Sequence, residues 1–152
     1  MGLETRITGH RRDQFALDPA TNSHHSPNVP AQNVYTIDDD GLAHDWTTAD
    51  SIWINPPFSL MDEFVVKADL EAQGHLFVLA KCDCRPAWFS KLCDLCCAFV
   101  LIHKSVKFLG NENSSFFGVA IFYRGPDPDK FYRAYQPLGT VCMPVIPELL
   151  AE

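Results

Sequence analysis

The chain has 152 residues, 47% hydrophobic and 20% charged, a balance that excludes a disordered polypeptide and sets the expectation of one core-forming domain. No apolar run reaches the roughly eighteen residues of a membrane span, and the polar start Met1 to Gln14 does not read as a secretory signal, so a cytoplasmic protein is expected. The net charge of −7 excludes a broadly basic groove for duplex phosphate, because the visible basic clusters (Arg6, Arg11 and Arg12, then Lys104 and Lys107) are small.

In chain order, Gln14 to Asp18 predicts a short first strand that ends in Asp18-Pro19-Ala20-Thr21, and Asn22 to Gln32, rich in Asn, Ser, His and Pro, predicts a loop. Asn33 to Ile37 predicts a second strand, stopped by Asp38-Asp39-Asp40 and Gly41. Leu42 to Asp50 reads as a polar connection carrying Asp45-Trp46. Ser51 to Ile54 predicts the third strand, and Leu60 to Gln73 a helix stopped by Gly74. His75 to Ala80 predicts the fourth strand, Pro86 to Cys97 a helix with Pro86 in its first turn, and Phe99 to His103 the fifth strand. Val106 to Leu109 and Phe116 to Tyr123 read as a hairpin around the loop Gly110 to Ser115.

The tail from Arg124 holds five of the eleven prolines and reads as irregular, with at most a short helix near Phe131 to Tyr135. This alternation predicts an α/β fold, 1–152 as a single domain with its core over about 14–123. The sheet is expected to be open and mostly parallel, with an antiparallel terminal hairpin at its edge. In such sheets ligands bind beyond the carboxyl ends of the strands, which gathers Asp18, Asp38 or Asp39, Asp45 and Asn55 as candidates. Each of these acids has an alternative role as a helix cap or turn residue.

The most informative stretch is Ser51 to Ser59, an apolar strand that stops at Asn55-Pro56-Pro57-Phe58. Proline fixes its own φ and pushes the preceding residue into an extended conformation, so this is a stiff loop at a strand end. The Asn55 side-chain carbonyl and the Pro56 backbone carbonyl are acceptors suited to an exocyclic amine with two N–H groups, and Phe58 could stack on the ring that carries it. The alternative is a proline-rich turn with Phe58 in the core. Trp46 likewise reads two ways, covered by a ligand ring or packed against the sheet edge.

Cys82, Cys84, Cys93, Cys96 and Cys97 lie close together in sequence, with Cys142 far away. The spacing resembles a zinc-ligand set. Cys93, Cys96 and Cys97, however, share a segment with Trp88, Phe89, Leu92 and Leu95 at helical spacing, where reduced cysteine acts as a small core residue. The core reading is favoured and no metal site is assigned.

Three runs, Phe15 to Thr21, Asp39 to Trp46 and Ile52 to Ser59, resemble the small phage DNA N6-adenine methyltransferases, which use S-adenosylmethionine. The similarity covers roughly residues 14 to 123. It implies a Rossmann-like methyltransferase fold, with Asn55, Pro56, Pro57 and Phe58 at the target base. It further implies Asp18 and Ala20 near the methionine of the cofactor, Asp38 or Asp39 near its ribose, Asp45 by its adenine amine and Trp46 against its adenine ring. The chain departs from the family in having only Met1 to Asp13 before the first strand, and in Phe58 where tyrosine is commoner. DNA is the implied partner, and the acidic charge points to single-stranded DNA, a helper protein or a homodimer. Cytosine N4 and a protein glutamine present a similar conjugated amine and stay open as targets, as does a binding module that has lost catalysis.

Overall fold

The computed structural model describes residues 14–104 and 117–145. Among these, seven strands form one mixed sheet in the order β2-β1-β3-β4-β6-β5-β7. The strands are β1 (Phe15–Asp18), β2 (Ala31–Val34), β3 (Ser51–Ile54), β4 (His75–Lys81), β5 (Ala98–Ile102), β6 (Val119–Arg124) and β7 (Gly139–Cys142). Strands β1 to β4 pair in parallel. β6 runs antiparallel between β4 and β5, and β7 runs antiparallel along the outer edge of β5.

Sequence dictates which strands are central. β3 is buried at every position and β4 at all but its ends, the near-continuous apolar character of strands covered on both faces. On one face, Leu17, Ile52, Ile54, Leu76 and Val78 pack against helix α1 (Met61–Glu71) and helix α2 (Ala87–Leu95) through Met61, Phe64, Val65, Ala68, Trp88 and Leu92. On the other, Phe15, Trp53, Phe77 and Tyr123 pack against Phe131 and Tyr135 of helix α3 (Pro128–Tyr135). The result is three layers, helix on sheet on helix.

Several expectations are corrected. β2 covers Ala31–Val34 instead of Asn33 to Ile37, because four-residue β1 sets its register (Phe15↔Ala31, Asp18↔Val34) and leaves Ile37 83% exposed beyond the pairing. Pro86 stands just before α2 as its cap, not within its first turn. The antiparallel strand expected over Phe116 to Tyr123, β6, is inserted between β4 and β5, and the antiparallel strand at the edge is β7. Its expected partner, Val106 to Leu109, and the loop Gly110 to Ser115 lie outside the described residues.

The short helix expected near Phe131 to Tyr135 is present as α3, which begins at Pro128, and the rest of the tail is more regular than expected because β7 follows it. Pro128 sits in the first turn of α3, where a missing N–H costs nothing, and Phe131 and Tyr135 bury one face of that helix. β7 then reaches the edge at Gly139, where any Cβ would stand 1.9 Å from the Leu101 carbonyl oxygen. Gly74 closes the turn from α1 to β4 at φ +63°, with the Asp50 carbonyl oxygen 2.3 Å from where a Cβ would lie. Among the described residues no helix is long and apolar enough to cross a membrane.

Trp46 anchors the connection between β2 and β3 to α1. It is fully buried, its indole N–H donates to the Gly41 carbonyl oxygen at 2.9 Å, and its backbone N–H donates to a Glu71 carboxylate oxygen at 2.9 Å. Lys67, bonded to the same carboxylate at 2.7 Å, holds its ammonium 5.3 Å from the indole centroid. Trp46→Ala is therefore expected to destabilise the fold by about 3–5 kcal/mol, as for other buried tryptophans. Urea unfolding checks this, and an unchanged midpoint would show that the connection is not anchored by the indole.

Candidate active site

The carboxyl ends of β1, β2 and β3 open onto one cavity of about 420 Å³. Its walls are Pro19–Thr21 after β1, Thr36, Ile37 and Asp40–Leu42 after β2, and Asn55–Phe58 after β3. Asn22 and Asn28, Leu60 and Phe64, and Phe117 before β6 complete it.

The Asn-Pro-Pro loop is shaped as its residues require. Pro57 is extended (φ −54°, ψ 137°), and its carbonyl oxygen accepts the Leu60 N–H at 2.9 Å, starting a helical turn over Phe58–Leu60 that leads into α1. Pro56 is buried, while Asn55 and Phe58 are partly exposed at the cavity. The Phe58 ring meets Phe117 edge to face, with centroids 5.2 Å apart at 74°.

The acidic candidates separate in space. Asp18 is buried, and its Oδ1 accepts the Ala20 N–H at 3.1 Å. Burial pushes its pKa up to about 7, against the bonds from Ala20 and Thr21. The Asp18 carbonyl oxygen accepts the Tyr35 N–H at 3.0 Å and the Tyr35 carbonyl oxygen accepts the Thr21 N–H at 2.9 Å, clipping the β1 loop to the β2 exit. Asp18 thus lies behind the cavity wall that Ala20 forms.

Asp39 also does not line the cavity. Its Oδ2 accepts from the Thr36 N–H at 2.7 Å and the Thr36 hydroxyl at 3.0 Å, and lies 2.6 Å from His24 Nε2. These bonds, the Thr36 backbone first, hold its pKa below the usual carboxylate value. Asp38 is exposed and does not line the cavity. The acidic residue that does is Asp40, at φ 53°, beside Gly41, whose Cβ position is closed by the Pro19 carbonyl oxygen.

Asp45 and Trp46 stand apart as well. The exposed Asp45 accepts the Thr47 N–H at 2.8 Å and the Thr47 hydroxyl at 2.7 Å, a local turn that depresses its pKa. The indole of Trp46 is 0% exposed and packs on Phe64, so the reading of Trp46 as a platform for an adenine ring is corrected. A tryptophan can satisfy both its ring and its N–H inside the protein, and here it does.

Sequence reasoning missed Asp40, Thr36, Ile37, Leu42, Asn22, Asn28 and Phe117. A signal for Asp40 was present, since aspartate directly before a constrained glycine tolerates a left-handed backbone better than most residues. Phe117 carries no comparable signal, because only the strand order brings it to Phe58.

The cysteines divide. Cys96 is buried in the core under α2 with Cys93 packed beside it, whereas Cys82 and Cys84 are exposed after β4. Burial pushes the Cys96 thiol up to about 12. All six are free thiols, and among the described residues no cluster of three or more His, Cys, Asp or Glu side chains is placed to hold a metal.

The raised pKa of Asp18 fixes the sign of a pH effect. The folded protein keeps this proton to about pH 7 while an unfolded aspartate releases it near 3.8, so the stability tied to Asp18 is complete below 3.8 and is lost as pH rises through about 7. Asp18→Asn is expected to remove that slope, gaining on wild type between pH 4 and pH 8 (about the span of the shift) in urea unfolding. Parallel pH profiles for the two proteins would contradict the assignment.

Residues 6–117 match the family model described as DNA N-6-adenine-methyltransferase (Dam), and this match spans most of the chain. The chain belongs to that family. No curated protein and no solved structure matches it significantly.

Proposed function

We propose that this member of the DNA N-6-adenine-methyltransferase family transfers a methyl group from S-adenosylmethionine to the N6 amine of an adenine turned out of its DNA strand. The observation that carries the reading is that the Asn55–Phe58 loop is a wall of the same cavity as the β1 and β2 exits. A site for a small donor and a site for an amine are then contiguous.

The lining fits the donor. A volume of about 420 Å³ lies within the usual range for small-molecule sites. Ile37, Leu42 and Phe64 offer apolar surface for a base, while Asp40, Thr36, Asn22 and Asn28 offer polar groups for a ribose and a charged tail. In this reading Asp40, and not Asp38 or Asp39, meets the ribose, Ala20 contacts the methionine portion, and Asp18 braces the loop behind it. When bound, S-adenosylmethionine supplies an electrophilic methyl group on a sulfonium.

The chain's own residues act on the amine. An adenine amine is a weak nucleophile because its lone pair is delocalised into the ring. Asn55 Oδ1 and the Pro56 carbonyl oxygen accept its two N–H bonds and favour a tetrahedral nitrogen, which localises the lone pair on the side away from them. Transfer would break the sulfonium S–CH3 bond, leaving a neutral thioether, and the methylated nitrogen, then cationic and strongly acidic, releases its proton to water, so no strong base is required. Phe58 stacks on the base and offsets part of the stacking lost on extrusion, and Phe117 holds that ring from the side.

The test is methyl transfer from labelled S-adenosylmethionine into DNA, with the product nucleoside identified. N6-methyladenine is expected, and methylcytosine or labelled protein in its place would reassign the target. Asn55→Ala should lower the single-turnover rate by about 100-fold or more, the scale of one removed transition-state hydrogen bond. Phe58→Ala should weaken capture of the base by roughly 1–3 kcal/mol. A folded Asn55→Ala protein working at the wild-type rate would show that this loop is not the site. Because the −7 charge gives little general attraction to duplex phosphate, single-stranded or mismatched DNA, where extrusion is cheapest, should turn over faster than paired duplex in a direct rate comparison.

A further inference from the structure

The contact between Phe58 and Phe117 continues to a third residue. Lys81 Nζ stands 5.2 Å from the centroid of the Phe117 ring. Lys81 is the last residue of β4 and is in register with Val119 of β6, and the Cys82 N–H donates to the Gly118 carbonyl oxygen at 2.8 Å. The backbone beneath the ammonium and the backbone that carries Phe117 are therefore fixed to each other. Phe117 in turn meets Phe58 at 74°, and both rings line the cavity.

A partly exposed lysine has a flexible stem, and its ammonium is attracted to the negative face of an aromatic ring. With its ammonium over Phe117, Lys81 resists movement of that ring. Phe117 then limits the tilt of Phe58, whose angle decides whether an extruded base stacks on it or meets its edge. This matters most at a stiff loop: Pro56 and Pro57 fix the Phe58 backbone, but a phenylalanine ring still turns about its own side-chain bonds.

We propose that Lys81 is a positioning residue for methyl transfer, acting through Phe117 to hold Phe58 at the angle a turned-out base requires. The proposal rests on the functional reading given above. Lys81 itself touches neither base nor cofactor in this scheme.

The experiment compares Lys81→Met, which keeps the length of the stem without the charge, with Lys81→Arg, which keeps a cation able to lie over a ring. In the free protein, NMR of phenylalanine ring signals reads the brace without activity. Lys81→Met should shift or broaden the Phe58 and Phe117 signals, and Lys81→Arg should leave both close to wild type. In single-turnover transfer at saturating DNA, Lys81→Met should be slower by about three- to tenfold, the size of one cation–π contact, with cofactor affinity by calorimetry unchanged. Lys81→Arg should restore the rate.

Unmoved ring signals in Lys81→Met overturn the proposal while leaving the methyltransferase reading intact. So does a loss confined to DNA affinity, with the salt dependence of binding falling by about one counterion, because that marks Lys81 as a phosphate contact. Wild-type protein that methylates no DNA removes the functional reading and the proposal with it, and that result is told apart by the wild-type control alone.

Discussion

Burial of β3 on both faces and both edges is the constraint on which the candidate site depends. Ser51 to Ile54 is fully covered, paired with β4 at each of its residues and with β1 at Leu17↔Ile52. Even its polar first residue is committed, the Ser51 hydroxyl accepting the Ala16 N–H at 2.9 Å. A slip of one residue would exchange the faces of Ile52, Trp53 and Ile54 and force each into a core packed for a side chain of another size and shape, so the register cannot drift. Asn55 therefore leaves the sheet at a fixed height, and the two prolines carry that rigidity past the end of the strand. Met61, buried just after the Phe58–Leu60 turn, pins the far end of the loop to the core.

The carboxylates of the neighbouring loops show a division of labour set by hydrogen-bond supply. Asp18, Asp39 and Asp45 each sit within reach of backbone N–H groups a few residues away, and each is used to fold its own turn. A carboxylate saturated in this way shapes a loop but has less capacity left for a ligand. Asp40 differs because its left-handed backbone turns the chain toward Gly41, which packs on the Pro19 carbonyl. That close approach joins the β1 and β2 exits into a single wall.

What could be read from the chain followed from local chemistry. Strands β1, β3 and β4, the helices α1 and α2 and the Asn55–Phe58 loop all have signals within their own residues: apolar runs, a helical period, a glycine stop and a pair of prolines. The misassigned parts are those decided at a distance. Which residues of 31–37 form β2 depends on the length of β1, and that Asp40 lines the cavity while Asp38 and Asp39 do not depends on the close packing of Gly41 on the Pro19 carbonyl. Trp46 could be read as covered by a ligand or by the sheet edge because its own segment is polar, yet its cover comes from α1. The tail looked irregular because of its prolines, three of which (Pro126, Pro128 and Pro137) stand around the ends of α3 without interrupting it. The division into a single domain and the roles of individual site residues are functional or organisational statements that strand patterns alone do not decide.

The direction of β6 explains how the site acquires its second aromatic wall. A parallel strand at that position would bring its carboxyl end to the crevice, and its amino end would lie on the opposite side of the sheet. Because β6 is antiparallel to β4, pairing Lys81 with Val119 at one end and Leu76 with Arg124 at the other, its first residues arrive where the parallel strands finish. Phe117, immediately before β6, is thereby delivered to Phe58, and Lys81 to Phe117. At the opposite end of the same strand Tyr123 stacks on Phe131 at 5.2 Å and 8°, bonds His75 through its hydroxyl at 2.9 Å, and ties β6 to α3 and β4. The strand is thus fixed at the end remote from the cavity by an aromatic core. That leaves the end near the cavity to be set by the β4 ladder, and it makes the reversal of one strand a condition for an aromatic pair at the candidate site.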